Sequence, residues 1–308
     1  LAIVTEEVSR GCAATGTIYG AHLSLCARYI DRFGTELQKS KYLPALANGA
    51  CIGAFALTEA EAGSDAAALK TTVRDGPDGF VVSGSKHFIT NADEAKTFVV
   101  MATRNHDLGS KGIESLIIER DYPGVEIIPQ RGKMGIRASS SCELKLKDVP
   151  VPTENRIGSA GEGFGMTLQV LDAGRVVIAA QGVGIAQAAL ETSISYARQR
   201  QTFGKPIGDW QTVRWMIADT ATQVETARHL TYSAAALQDA GEPFATEASM
   251  AKLFASRTAV ECADRAVQIH GGTGYFAPTT AERLYRDAKV TEIYDCLLYT
   301  SPSPRDRG

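Results

Sequence analysis

The sequence predicts an α+β protein in which helices open the chain, a β-rich segment follows and a helical bundle closes it. Three observations carry this. Apolar residues recur at helical spacing before about residue 50 and again after residue 163. Between these stretches, short runs rich in Val, Ile and Phe are punctuated by Gly, Pro and Asp. Asp75-Gly-Pro-Asp-Gly79 sits between two such runs, which is the turn chemistry of a hairpin.

From Leu1 to about Asn48 the pattern is helical, with Tyr29, Ile30, Phe33 and Leu37 at helical spacing. A second stretch, Lys41 to Ala47, ends at Asn48-Gly49, a C-cap signal. From Cys51 to about Val151 the strand signals are Phe80-Val-Val, Thr97-Phe-Val-Val-Met, Ser115-Leu-Ile-Ile and Glu143-Leu-Lys-Leu-Lys, where Leu144 and Leu146 share one face. A small antiparallel domain of about a hundred residues is expected there. From Gly163 onward Phe164, Leu168, Leu171, Arg175, Ile178, Gly182 and Ile185 mark a helix running to about Arg200, roughly 50 Å at 1.5 Å per residue, one rod of a bundle. A second rod is predicted from Trp210 to Asp239, and a third from Phe244 to about His270, with Ala251, Phe254, Ala255, Thr258, Cys262 and Ile269 on one face. A last piece runs from Thr280 to Lys289. The expected domains are residues 1–50 (a partial helical domain), 51–153 (the β-domain) and 154–295 (a truncated helical bundle), with 296–308 as a non-native tail.

Composition narrows the function classes. Lys plus Arg number 32 against 35 Asp plus Glu, and the net charge of -3 is interspersed, so no polyanion-binding face and no nucleic-acid partner are expected. The longest weakly polar stretch, Val176 to Leu190, reads as too short to span a bilayer, so a soluble protein without a membrane partner is expected. Its Ala and Gly density reads as close helix packing. The six cysteines form no C-x-x-C pair and have no His at ligand spacing, which predicts neither a disulfide framework nor a metal site.

Four motifs stand out, and each admits a bland reading. Phe55-Ala-Leu-Thr-Glu-Ala-Glu-Ala-Gly-Ser-Asp65 can present backbone N–H groups and the Thr58 and Ser64 hydroxyls to a ring or phosphate, or it can simply cap a strand. Gly84-Ser-Lys-His-Phe-Ile-Thr-Asn91 adds an aromatic residue and Thr90, or is an ordinary β-edge. Arg198-Gln-Arg-Gln-Thr-Phe-Gly-Lys-Pro-Ile-Gly208 is a cationic inter-helix loop, fit for a phosphate or for solvent. Val267-Gln-Ile-His-Gly-Gly-Thr-Gly-Tyr275 places glycines after a helix, for a ligand or as a C-cap. No G-x-G-x-x-G follows a βαβ strand, which disfavours a Rossmann dehydrogenase.

In their joint order the motifs resemble the acyl-CoA dehydrogenase family, from near the start to about Tyr294. The resemblance rests on T-E-x-x-A-G-S-D at Thr58 to Asp65, K-x-x-I-T-N at Lys86 to Asn91 and L-D-x-G-R at Leu171 to Arg175. It continues through R-x-x-F-G at Arg200 to Gly204, Q-I-H-G-G-x-G-Y at Gln268 to Tyr275, and Tyr285 to Tyr294. Ala60 stands where the family usually has proline.

The resemblance implies an acyl-CoA dehydrogenase-like fold that binds FAD. Phe55, Leu57, Thr58, Gly63 and Ser64 would line the flavin, and Phe88, Ile89 and Thr90 would flank its isoalloxazine. Arg200, Phe203, Gln211, Gln268, Gly271 and Gly272 would contact FAD across a dimer interface, while Ser64, Asp172 and Arg175 would face the substrate. The implied oxidoreductase converts an acyl-CoA thioester, short-chain or branched short-chain, to the trans-2-enoyl-CoA. A carboxylate removes the α-proton, the β-hydrogen leaves as hydride, and electrons pass to an electron-transfer flavoprotein. Fatty acid β-oxidation or branched-chain amino acid catabolism, a dimer-of-dimers homotetramer, and a cytoplasmic (bacterial) or mitochondrial-matrix (eukaryotic) location complete the expectation. Rival readings are an acyl-CoA oxidase-like enzyme and a catalytically silent flavin- or CoA-binding homologue.

The family's usual catalytic Glu falls at Asp295, and its alternative location before the helix arginine is Gly174. Asp295 is one methylene shorter than Glu, and a misplacement of about 1 Å costs about a hundredfold in rate. Because the similarity stops at Asp295, the chain is expected to be a fragment, cut at both ends, with a foreign segment after Asp295, and to turn over little by itself.

Overall fold

The computed structural model describes residues 1–294, so Asp295 and 296–308 lie outside the described residues. The described chain packs as two compact units. One comprises Ile18–Lys133 and Ser139–Gly174; the other comprises Leu1–Thr17, Met134–Ala138 and the chain from Arg175 onward.

The first unit begins at Ile18, within α2 (Ala13–Gly20), which continues through a π-helical stretch, Ala21–Ala27, into α3 (Arg28–Phe33). Gly34 ends α3, where a Cβ would lie 2.4 Å from the Ile30 carbonyl oxygen. Thr35 then caps α4 (Glu36–Ala47): its hydroxyl accepts from the Gln38 N–H, and the Gln38 side chain accepts from the Thr35 N–H. This break corrects the grouping of Leu37 with Tyr29, Ile30 and Phe33, because Leu37 starts a new helix and is 64% exposed. The C-cap at Asn48, followed by Gly49 at φ 75°, agrees with expectation.

The strands are β1 (Ile52–Ala56), β2 (Thr72–Gly76), β3 (Gly79–Thr90), β4 (Ala95–Thr103), β5 (Ile113–Glu119), β6 (Val125–Pro129), β7 (Ser141–Pro152) and β8 (Arg156–Ile157). They form one sheet in the order β6-β7-β3-β2-β4-β5-β8, with β1 also on β4. The β2–β3 hairpin turns where Asp75 to Gly79 predicts it. The sheet is mixed and not antiparallel throughout: β1 pairs β4 in parallel from Gly53–Thr97 to Ala56–Val100, and β2 meets β4 in parallel at Thr72–Thr103. Phe98 and Val100 of β4 join one core with Leu144 and Leu146, while Val99 and Met101 join another with Tyr29 and Ile30. Burial on both faces explains the unbroken apolar run of β4.

In the second unit, α1 (Ala2–Gly11), the part of α5 (Gly163–Gln199) from Arg175, α6 (Gln211–Asp239), α7 (Ala245–His270), α8 (Gly272–Tyr275) and α9 (Thr280–Ala288) surround an alanine-rich core. A Cβ at Gly184 would lie 2.3 Å from the Glu6 carbonyl oxygen, and one at Gly182 would lie 2.8 Å from that of Ala255. The small residues of α5 therefore serve backbone approach, as their composition suggests. α5 is long and apolar enough to cross a membrane, contrary to the reading of Val176 to Leu190 as too short, but 89% of that window is buried within the protein. Burial of this kind is that of a core helix. Leu168, one of the residues that mark this helix in the sequence, is 44% exposed.

Candidate functional site

Two groups of the expected residues are brought together, one in each unit. In the sheet unit, β1 delivers Phe55 and, just past its end, Leu57 and Thr58, beside the β3 residues Phe88, Ile89 and Thr90; the His87 N–H donates to the Thr58 carbonyl at 2.8 Å. Lys86 pairs with Leu144 and Ile89 with Cys142, so His87 and Phe88 together oppose Glu143 alone. This β-bulge puts Phe88 at φ 59° and re-aims its ring outward, leaving the residue 67% exposed. The Phe88 N–H donates to the Gln130 side-chain oxygen at 3.1 Å, a support for which the sequence holds no motif. Gly63 has open space where a Cβ would project, and Ser64 is exposed. Leu57 and Ile89 are 8% and 2% exposed and belong to hydrophobic cores, so their side chains are structural and only their backbone is left for a ligand.

A buried ion pair underlies this ledge. The Lys86 ammonium donates to Glu59 Oε1 at 2.7 Å and to the Leu57 carbonyl at 3.1 Å. Glu59 Oε1 also accepts from the Thr71 N–H at 2.9 Å and the Thr71 hydroxyl at 2.6 Å, and Oε2 accepts from the Lys70 N–H at 2.5 Å. Burial draws Lys86 down to about 8 although Glu59 opposes it. For Glu59, burial acts upward, but Lys86 and the three donors leave its carboxyl below the ordinary value.

In the helical unit, the loop after α5 is a two-residue hairpin in which Thr202 pairs with Lys205. Its turn residues, Phe203 at φ 52° and Gly204 at φ 80°, both have the positive φ of a type I′ turn. Phe203 is 94% exposed. Trp210 supports the hairpin, its indole N–H donating to the Thr202 hydroxyl at 3.2 Å and its ring lying 3.9 Å from the Lys205 ammonium. Arg200 and Gln211 are exposed on the same segment. At the end of α7, Gln268 is exposed and Gly271, at φ 57°, terminates the helix; a Cβ on Gly271 or Gly272 would meet nothing.

Asp172 and Arg175 lie one turn apart on α5. Arg175 donates to the Ser249 hydroxyl at 3.2 Å. Gly174 is buried in the helix and offers no acid or base. The position of the expected base, Asp295, is outside the described residues.

Each group suits one part of a dinucleotide that carries an aromatic ring. Hydroxyls at Thr58, Ser64 and Thr90, a projecting phenyl ring and open glycine backbone suit a flavin ring. An exposed guanidinium at Arg200, and open glycine backbone at Gly271 and Gly272, suit a pyrophosphate. Phe88 and Phe203 both sit at positive φ with their rings outside any core, and such backbone strain, of order 1–3 kcal/mol per residue, gathers at ligand sites.

Residues 1–50 match the family model of the acyl-CoA dehydrogenase N-terminal domain, 54–149 that of the middle domain and 161–295 that of the C-terminal domain. The chain is 46% identical over 293 residues to a short-chain specific acyl-CoA dehydrogenase of Clostridium acetobutylicum, covering 95% of this chain and 77% of that protein. It is similar in structure to butyryl-CoA dehydrogenase of Megasphaera elsdenii, with TM-score 0.95 and 41% identity over 97% of this chain and 78% of that one. It is also similar to an acyl-CoA dehydrogenase complexed with FAD from Bacillus anthracis, with TM-score 0.92 and 34% identity over 96% of this chain and 54% of that one.

Proposed function

The chain belongs to the acyl-CoA dehydrogenase family, and on that premise we propose that it carries out FAD-dependent α,β-dehydrogenation of a short acyl-CoA thioester, passing electrons to an electron-transfer flavoprotein. The single observation that carries this reading is the ledge: the bulge at Phe88 turns an aromatic ring outward beside Thr58 and Thr90. Thr58, Ser64, Phe88 and Thr90 hold the flavin ring, with Phe55, Leu57, Gly63 and Ile89 shaping the surface beneath it. Arg200, Phe203, Gln211, Gln268, Gly271 and Gly272 bind the FAD of a second subunit, with Arg200 on the pyrophosphate.

Bound FAD supplies the hydride acceptor. The chain supplies the rest: Ser64, Asp172 and Arg175 bind and orient the acyl-CoA, and the carboxylate at position 295 takes the α-proton. That proton is weakly acidic, so the thioester oxygen needs hydrogen-bond donors in a site closed to water. A short acyl group is supported by the likeness to the short-chain and butyryl-CoA enzymes. The division at about residues 50 and 153, a homotetramer built as a dimer of dimers, and a bacterial cytoplasmic or mitochondrial-matrix location belong to the same proposal.

The test is the product. FAD-loaded protein incubated with butyryl-CoA and an artificial electron acceptor yields a thioester lighter by two hydrogens in mass spectrometry; butyryl-CoA recovered unchanged from flavin-loaded protein refutes the reading.

A further inference from the structure

The Lys86–Glu59 pair has no place in the chemistry above, yet both of its members are buried, with Lys86 at 0% and Glu59 at 7% exposure. Taking an ammonium and a carboxylate out of water is costly, and a well-packed apolar pair of similar volume commonly stabilises a fold as well or better. Stability alone therefore does not account for it. Its contacts do. Leu57 and Glu59 lie at the start of the loop that carries Thr58, Gly63 and Ser64; Lys70 and Thr71 lie at its end; Lys86 lies on β3 immediately before the bulge that aims Phe88. One carboxylate thus ties both ends of the loop to the strand, and the ammonium ties the strand back to Leu57. All four acceptor contacts on Glu59 are charge-assisted or come from backbone donors fixed in place, the hydroxyl of Thr71 included in the former, which makes the junction directional in a way that apolar packing is not.

We propose that Lys86 and Glu59 are positioning residues: the pair sets the register of Thr58 and Ser64 on the loop against Phe88 and Thr90 on β3, and so shapes the surface that receives the flavin ring. The inference rests on the reading of that ledge as the FAD site. The pair acts through the backbone it holds and touches neither the flavin nor the substrate. Being net neutral, it fixes the loop without adding a net charge beneath the ring.

The test compares the full chain with three variants, measuring the FAD dissociation constant, the visible absorption spectrum of bound flavin and the melting of the apo-protein. Lys86→Met strands the Glu59 carboxylate and is expected to lower apo stability as well as FAD affinity. The Lys86→Met/Glu59→Leu double variant removes both charges but leaves the Lys70 N–H, the Thr71 N–H and the Thr71 hydroxyl without their acceptor, so its apo-protein melts below the parent, FAD binds at least tenfold more weakly and the flavin band loses its parental shape. Thr71→Val strands no charge, keeps the fold and weakens FAD by about threefold, the scale of one hydrogen bond. A double variant, or a Thr71→Val protein, that binds FAD with the parental constant and spectrum overturns the proposal. A parent protein that takes up no FAD removes the ledge reading and the proposal with it, so the two failures are distinguishable.

Discussion

The phenol of Tyr294 donates to the side-chain oxygen of Gln181, whose amide nitrogen in turn donates to the Ala13 carbonyl at 3.0 Å and to the Thr17 hydroxyl at 2.8 Å. Gln181 is 1% exposed. A buried polar residue of α5 is thus the anchor for Tyr294, the last described residue before position 295, where the base is proposed. Gln181→Leu takes the donor from the buried Thr17 hydroxyl, while the Ala13 carbonyl still accepts from Thr17, and it takes the acceptor from the Tyr294 phenol, at a cost of about 1–3 kcal/mol. The expected result is a lower urea midpoint and a fall in kcat larger than any change in KM; an unchanged midpoint contradicts the anchor.

Gly184 tests the packing of α1 on α5. A Cβ there meets the Glu6 carbonyl oxygen at 2.3 Å and the Arg10 nitrogen at 2.9 Å, both backbone atoms with little room to yield. Gly184→Ala is expected to destabilise by about 1–3 kcal/mol, despite the better helix propensity of alanine. Denaturant melts that show a more stable variant contradict the packing.

Phe203 separates function from stability. A bulky residue at positive φ is strained, and Phe203→Asn supplies the Asn-Gly pair that a type I′ hairpin favours. The variant is expected to melt higher, by about 1 kcal/mol of stability, while retaining FAD less well on gel filtration. Tighter FAD retention removes Phe203 from the cofactor site.

His22 gives a pH dependence with a definite sign. Its Nδ1 accepts from the Gly53 N–H at 3.0 Å, and its Nε2 lies 3.1 Å from the Leu46 carbonyl, which fixes a neutral ring between β1 and the end of α4. Burial lowers its pKa below 6.5, with the Leu46 contact acting the other way. The unfolded chain therefore binds this proton more readily, so the contribution of His22 is full above pH 6.5 and is lost as pH falls from there through the folded value. Unfolding titrations of His22→Gln should show a flatter acid limb below pH 6.5 than the parent; identical slopes contradict the assignment.

The helices were legible because their signal is local. The spacing along α5, α6 and α7 and the cap at Asn48 place their ends within a few residues. Periodicity alone groups Leu37 with Tyr29, Ile30 and Phe33 because it does not register a helix restart, which Gly34 and the Thr35 capping box cause. The parallel β1–β4 pairing and the Glu59–Lys86 pair join residues far apart in sequence, and no local pattern encodes them. The motif residues of the candidate site were legible as a set only through the family resemblance. Which of them project outward was not, since that depends on the bulge at Phe88 and the turn at Phe203.

A dehydrogenase of this family reduces its bound flavin with electrons from the acyl-CoA. Anaerobic addition of butyryl-CoA to the FAD-loaded protein, followed by visible absorption, tests this most directly. The oxidised flavin band is expected to bleach, more slowly in Asp295→Asn and faster in Asp295→Glu. A flavin band that butyryl-CoA leaves unchanged in the parent and in Asp295→Glu alike would contradict the proposed function.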